Sequence, residues 1–131
     1  MKITARTEYG IRAMYALAKA SGKGPVPMRA IASEQQIPEN FLEQMLSQLR
    51  KAGLISATRG PSGGYELARP PEEISFSDIV SALEGPVALC DCMEEGNGCD
   101  RLQGCPVHPV WAKISAGLNQ LLDSSTLADM L

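Results

Sequence analysis

A chain of 131 residues with 44% hydrophobic and 21% charged side chains has the composition of one globular domain with at most an appendage, which excludes collagen-like, mucin-like and wholly disordered chains. No apolar run approaches the ~18 residues of a membrane span, and the charges in Met1-Lys2-Ile3-Thr4-Ala5-Arg6-Thr7-Glu8 interrupt the apolar stretch a signal peptide needs, so a cytoplasmic protein is expected. The net charge of -3 hides an asymmetry: residues 1–69 hold ten basic and five acidic side chains, +5, whereas residues 70–131 hold two basic and ten acidic, -8. A basic front half suits a polyanion-binding module, because attraction to phosphate follows the local field and not the whole-chain charge.

Taken in chain order, Ile11, Met14, Tyr15 and Ala18 recur at helical spacing and predict a first helix from about Thr4 to Lys19. Ser21-Gly22-Lys23-Gly24-Pro25 ends it. Pro27 and then Pro38 are placed to sit in the first turns of a second helix to about Gln36 and a third to about Lys51, since a helix leaves its first amide donors unpaired and proline has none. In the third helix Phe41, Leu42, Met45, Leu46 and Leu49 form the expected buried stripe. Asn40, Glu43, Gln44 and Ser47 share the opposite, exposed face. Leu54-Ile55-Ser56-Ala57-Thr58 and Tyr65-Glu66-Leu67 read as two strands joined by the glycine-rich Arg59-Gly60-Pro61-Ser62-Gly63-Gly64, a hairpin.

Pro70-Pro71 marks a boundary between a module at 1–69 and a second part at 70–131. There Ser75 or Ser77 can cap a helix with Phe76, Ile79, Val80 and Leu83 on its apolar face, ended by Gly85-Pro86. Residues 87–109 hold the chain's four cysteines and its single histidine in a long loop without periodicity; loops of that length are usually functional or disordered. From Val110 to about Leu122 a last long helix carries Trp111, Ile114, Leu118 and Leu121 at a spacing close to a coiled-coil seam, long enough to pair with a copy of itself. A final turn is expected within Thr126–Leu131.

Two short helices followed by a two-stranded hairpin, all in the basic half, form the order of a winged helix-turn-helix, whose second helix enters the DNA major groove. The expected fold is therefore mainly α, with a two-stranded wing and a C-terminal dimerisation helix. Asn and Gln pair with adenine edges and Glu accepts from the cytosine amino group, which suits Asn40, Glu43 and Gln44 to base reading. Arg59 suits a narrow A·T-rich minor groove, with Ser62 beside it in the wing. No Gly-Lys-Ser or Gly-Lys-Thr follows the wing glycines, so they do not form a nucleotide-binding P-loop. Adjacent acidic pairs such as Glu72-Glu73 and Glu94-Glu95 have no reason to converge, and nothing points to an enzyme.

Cys92-x6-Cys99-x5-Cys105-x2-His108, with Cys90 two residues upstream, is a ligand set for iron-sulfur chemistry or for zinc. The absence of short Cys-x2-4-Cys knuckles favours the wider, iron-sulfur site. Three functions use these residues differently. A DNA-binding sensor uses both halves. A zinc-stabilised or thiol-switch DNA-binding regulator uses the same cysteines without iron. An electron-transfer iron-sulfur protein leaves the basic half and the wing without a role.

The chain resembles the IscR-like, or Rrf-two, family of winged-helix regulators through Met1-Lys2-Ile3-Thr4, Phe41-Leu42-Glu43-Gln44, Leu49-Arg50-Lys51-Ala52-Gly53-Leu54, Arg59-Gly60-Pro61-Ser62-Gly63-Gly64-Tyr65 and the cysteine set before Trp111. The resemblance implies a homodimeric repressor or activator of operator DNA that carries one iron-sulfur cluster per subunit. Glu43, Gln44 and Asn40 match its base-facing positions and Arg59 its minor-groove wing residue. Cys92, Cys99 and Cys105 match its cluster cysteines, and His108 matches the histidine that completes a two-iron, 2Fe-2S site. Here the first gap is one residue longer than in the isc-type branch, and Cys90 is an additional thiol. Some relatives instead use an acidic residue from the partner's first helix, where Glu8 stands, so the resemblance leaves the fourth ligand and the choice between 2Fe-2S and 4Fe-4S open.

Overall fold

The computed structural model describes residues 3–87, 89 and 104–131. The first helix, α1 (Ala5–Lys19), starts at Thr4, whose hydroxyl accepts from the Thr7 amide. Ala13, Met14 and Leu17 are its buried centre, while Ile11 and Tyr15 lie at the margin. Helices α2 (Met28–Gln35) and α3 (Glu39–Lys51) follow. Pro27 and Pro38 are the capping residues just outside each helix, one position earlier than the first-turn site that proline's missing donor also permits. Between them Gln36 adopts φ 54, and the reversal drops Ile37 into the core at 4% exposure.

The hairpin pairs β1 (Ile55–Thr58) with β2 (Gly64–Leu67), in a register that sets Ile55 against Leu67 and Thr58 against Gly64. Beyond it, Ser75 and not Ser77 caps α4 (Phe76–Glu84): its hydroxyl accepts from the Asp78 amide at 3.0 Å, and Asp78 accepts from the Ser75 amide at 3.0 Å. This reciprocal box satisfies two otherwise orphaned donors. At Gly10 α1 lies so close to α4 that a Cβ there would stand 2.2 Å from Leu83 Cδ1.

The core joins residues from both sides of Pro70. Met14, Ile31, Leu42, Leu46 and Leu49 pack in one cluster with Ile74, Ile79, Leu83 and Leu127. Leu127 gets there because the chain beyond α5 (His108–Ser124) turns back: Phe76 N–H donates to the Ser125 carbonyl at 2.7 Å and Leu127 N–H to the Ile74 carbonyl at 3.0 Å. A short 3-10 turn, Leu127–Met130, then closes the chain.

Helix α5 begins at His108, two residues before the expected start, so His108 belongs to the helix and not to the preceding loop. Pro109 explains the difference, since a proline within the first helical turn forfeits no hydrogen bond. Among the described residues no helix is long and apolar enough to cross a membrane.

Candidate DNA interface and ligand set

Helix α3 is held by Leu42, Met45, Leu46 and Leu49, each at most 1% exposed. Its outer face presents Asn40, Glu43 and Gln44 in the open, with Ser47 half-buried. Phe41 does not join the buried stripe; it is 50% exposed. Each residue advances about 100° around a helix, so Phe41 stands a quarter-turn from Leu42, outside the arc that the four buried residues cover. At the other end Arg50 and Lys51 occupy the last turn, where positive charge opposes the helix dipole.

The wing is fixed by close backbone approach. Val26, just before α2, exchanges two hydrogen bonds with Tyr65, each of 2.9 Å, which gives the hairpin a third extended neighbour. A Cβ on Gly64 would lie 2.3 Å from the Val26 carbonyl oxygen, and one on Gly63 would lie 2.1 Å from that of Thr58. Only glycine permits both approaches. Arg59 and Ser62 are left exposed in the connecting turn, so β2 ties the wing to the start of the helix pair. Arg29, 90% exposed at the start of α2, lies 3.8 Å from Glu39 at the start of α3; a pair so open to water adds little stability and leaves the guanidinium accessible to phosphate.

Of the expected ligands, Cys90, Cys92 and Cys99 lie outside the described residues. Cys105 is half-buried, and His108, also half-buried, is the first residue of α5. Among the described residues no three His, Cys, Asp or Glu side chains gather into a metal position. The chemistry of the two described donors suits an iron-sulfur cluster or zinc. Helix α5 starts with neither a side-chain cap nor an acidic residue in its first turn. Glu8, the alternative ligand, is exposed on α1 and pairs with Arg12 at 3.3 Å.

On α5 Trp111, Ile114 and Leu121 are 38%, 46% and 67% exposed, with Leu118 half-buried. Ser115 is the buried residue of this helix. A further contact, for which there is no local sequence signal, links the end of α4 to the start of α1: the Thr4 hydroxyl and amide both donate to Glu84 Oε1. The Thr4 hydroxyl above all holds the Glu84 carboxyl below its ordinary pKa. Glu84 ends α4, three residues before the 87–109 segment that carries the cysteines.

The Rrf2 family model, described as an iron-dependent transcriptional regulator, matches residues 3–131. The chain is 37% identical over 130 residues to the HTH-type transcriptional regulator CymR of Bacillus subtilis (strain 168), covering 99% of this chain and 89% of the relative. It is 36% identical over 131 residues to the HTH-type transcriptional regulator IscR of Aliivibrio salmonicida (strain LFI1238), covering 100% of this chain and 77% of the relative. The solved structure of CymR, the global cysteine regulator of B. subtilis, superposes with a TM-score of 0.80 at 36% identity, covering 99% of this chain and 95% of that one. These relatives are transcriptional regulators and not enzymes. With its helix pair, two-stranded wing and exposed α3 face, the chain belongs to the Rrf2 family of DNA-binding, winged-helix transcriptional regulators.

Proposed function

We propose that the protein is a cytoplasmic homodimer that reads operator DNA with α3 and the wing, and that an iron-sulfur cluster on Cys92, Cys99, Cys105 and His108 sets its affinity or choice of operator. The observation that carries the reading is the outer face of α3, where Asn40, Glu43 and Gln44 stand exposed beside a wing braced against Val26. Asn40 and Gln44 are suited to adenine and Glu43 to cytosine. Arg59 and Ser62 reach from the wing toward the adjacent minor groove, and Arg29 is placed for phosphate. Two-fold pairing through Trp111, Ile114, Leu118 and Leu121 covers an apolar face that soluble monomers seldom expose and matches two half-sites of one operator.

The cluster assignment is supported by the donor set and by the family's description as iron-dependent. When bound, the cluster supplies a centre responsive to iron, redox state or nitric oxide. Cys105 and His108 would hold it at the start of α5, the helix that also carries the proposed dimerisation face. A two-iron site is the preferred form; a four-iron site follows if Glu8 of the other subunit takes the place of His108. The similarity to a cysteine regulator favours a second reading, a regulator whose thiols act without iron.

The test is selection from a randomised duplex pool, followed by titration of Gln44→Ala, Glu43→Ala and Arg59→Ala. The two α3 variants are expected to relax preference at single base pairs, each contact being worth ~1–3 kcal/mol. Arg59→Ala is expected to lose affinity at A·T-rich steps. Unchanged preference in all three variants would defeat the DNA reading. An anaerobic absorption spectrum with iron and sulfide analysis separates the cluster from the thiol-only reading, because a thiol or zinc site is colourless.

A further inference from the structure

Resting on the base-reading function just given, we propose that Phe41 is a specificity residue that packs on the 5-methyl group of a pyrimidine, thymine in unmodified DNA, beside the base pair read by Gln44. Phe41 is the third residue of α3, in the N-terminal part of a recognition helix, from which side chains reach base edges. It is 50% exposed although the rest of the apolar set on α3 is buried to 1% or less. Asn40 precedes it and Gln44 follows one turn later; both are exposed. Among the described residues the other exposed large hydrophobics are Ile3, Val107, four residues of α5 and Leu131, so Phe41 stands by itself on the DNA-facing helix.

A phenyl ring has no hydrogen-bonding atom, so what it offers a groove is shape and apolar surface. Of the groups that base pairs display in the major groove, the thymine methyl is the apolar one; the others are hydrogen-bond donors and acceptors. The helix rises about 1.5 Å per residue, which puts Phe41 about 4.5 Å along the axis from Gln44. Base pairs are stacked about 3.4 Å apart. The methyl therefore belongs to a thymine within two base pairs of the one that Gln44 reads.

The experiment uses the duplex that wild-type protein selects from a randomised pool, with each thymine replaced in turn by uracil, a change that removes the methyl and nothing else. Wild type is expected to lose about fourfold in affinity, the worth of one buried methyl, at a thymine within two base pairs of the position that Gln44→Ala relaxes. Phe41→Ala is expected to bind the thymine and uracil forms equally, and Phe41→Leu to retain part of the difference. The uracil series on wild type needs no folded variant. If no thymine in that window responds, or if Phe41→Ala keeps the wild-type response, the proposal is overturned while Gln44-dependent preference leaves the base-reading function standing. A pool that yields no consensus overturns both.

Discussion

Replacing Gly64 by alanine tests whether the wing is positioned by its backbone contact with Val26. The added Cβ would sit 2.3 Å from the Val26 carbonyl oxygen and 2.4 Å from its carbon, whereas non-bonded carbons settle about 3.5–4.0 Å apart. The obstacle is backbone, so no rotamer relieves it. The segment must withdraw by about 1 Å or more, and both 2.9 Å bonds between Val26 and Tyr65 are then lost. At about 1 kcal/mol for each bond, with about 1 kcal/mol more for alanine at φ 156, the cost is about 3 kcal/mol. For a slope near 1.5 kcal/mol/M this lowers the urea midpoint by about 2 M. Gly60→Ala is the control: φ is 107 there but no atom lies within 4 Å of the added carbon, so strain of about 1 kcal/mol is the whole expected effect. Chemical denaturation followed by circular dichroism reads both variants, and titration of the selected duplex is expected to show the larger affinity loss in Gly64→Ala. Equal midpoints for the two variants, or a Gly64→Ala midpoint at the wild-type value, would show that the Val26 contact does not position the wing.

Leu118→Asp, which sets a charge in the apolar face of α5, is expected to shift sedimentation from twice the chain mass toward the chain mass; a wild type already monomeric at micromolar concentration would remove the dimer. Glu84 is predicted to contribute to acid sensitivity: its carboxyl, held below its ordinary pKa chiefly by the Thr4 hydroxyl, adds stability that is present above the unfolded value and fades as pH falls through the folded one. Denaturation midpoints of wild type and Glu84→Gln are therefore expected to converge on acidification, and parallel curves down to the acid limit would contradict this. Anaerobic spectra and iron content are expected to survive in Cys90→Ala and to change in His108→Ala, because Cys90 and Cys92 flank a single residue and are poorly spaced to ligate together. Loss in Cys90→Ala with a native spectrum in His108→Ala would reverse the assignment.

The elements within residues 3–69 were legible because each rests on a local signal. Apolar spacing marks α1 and α3, the two prolines mark the starts of α2 and α3, and glycines mark the wing. What escaped the sequence is where tertiary geometry decides. Phe41 adjoins Leu42 and reads as one apolar run, but the step around the helix carries it out of the core. Val26 has no strand pattern of its own and becomes the wing's third partner through a single isolated pairing with Tyr65. Leu127 lies at the end of an acidic half yet is fully buried, because the chain returns to pair with Ile74 and Phe76. The company of the cysteines points His108 and Pro109 to the loop, whereas proline is well suited to opening a helix and both residues lie in α5. The residue types of the ligand set are plain from spacing alone; two of its four proposed members, Cys92 and Cys99, fall outside the described residues, so the proposal rests on that spacing and on the family.

The most direct measurement is the affinity of one anaerobic protein preparation for its selected duplex, titrated before and after the iron is removed by a chelator, with absorption recorded on the same samples. A cluster-dependent regulator is expected to be coloured, and its loss of colour to be accompanied by a change in affinity or in the preferred duplex. A colourless preparation free of iron, or a coloured one whose binding is the same with and without iron, would contradict it.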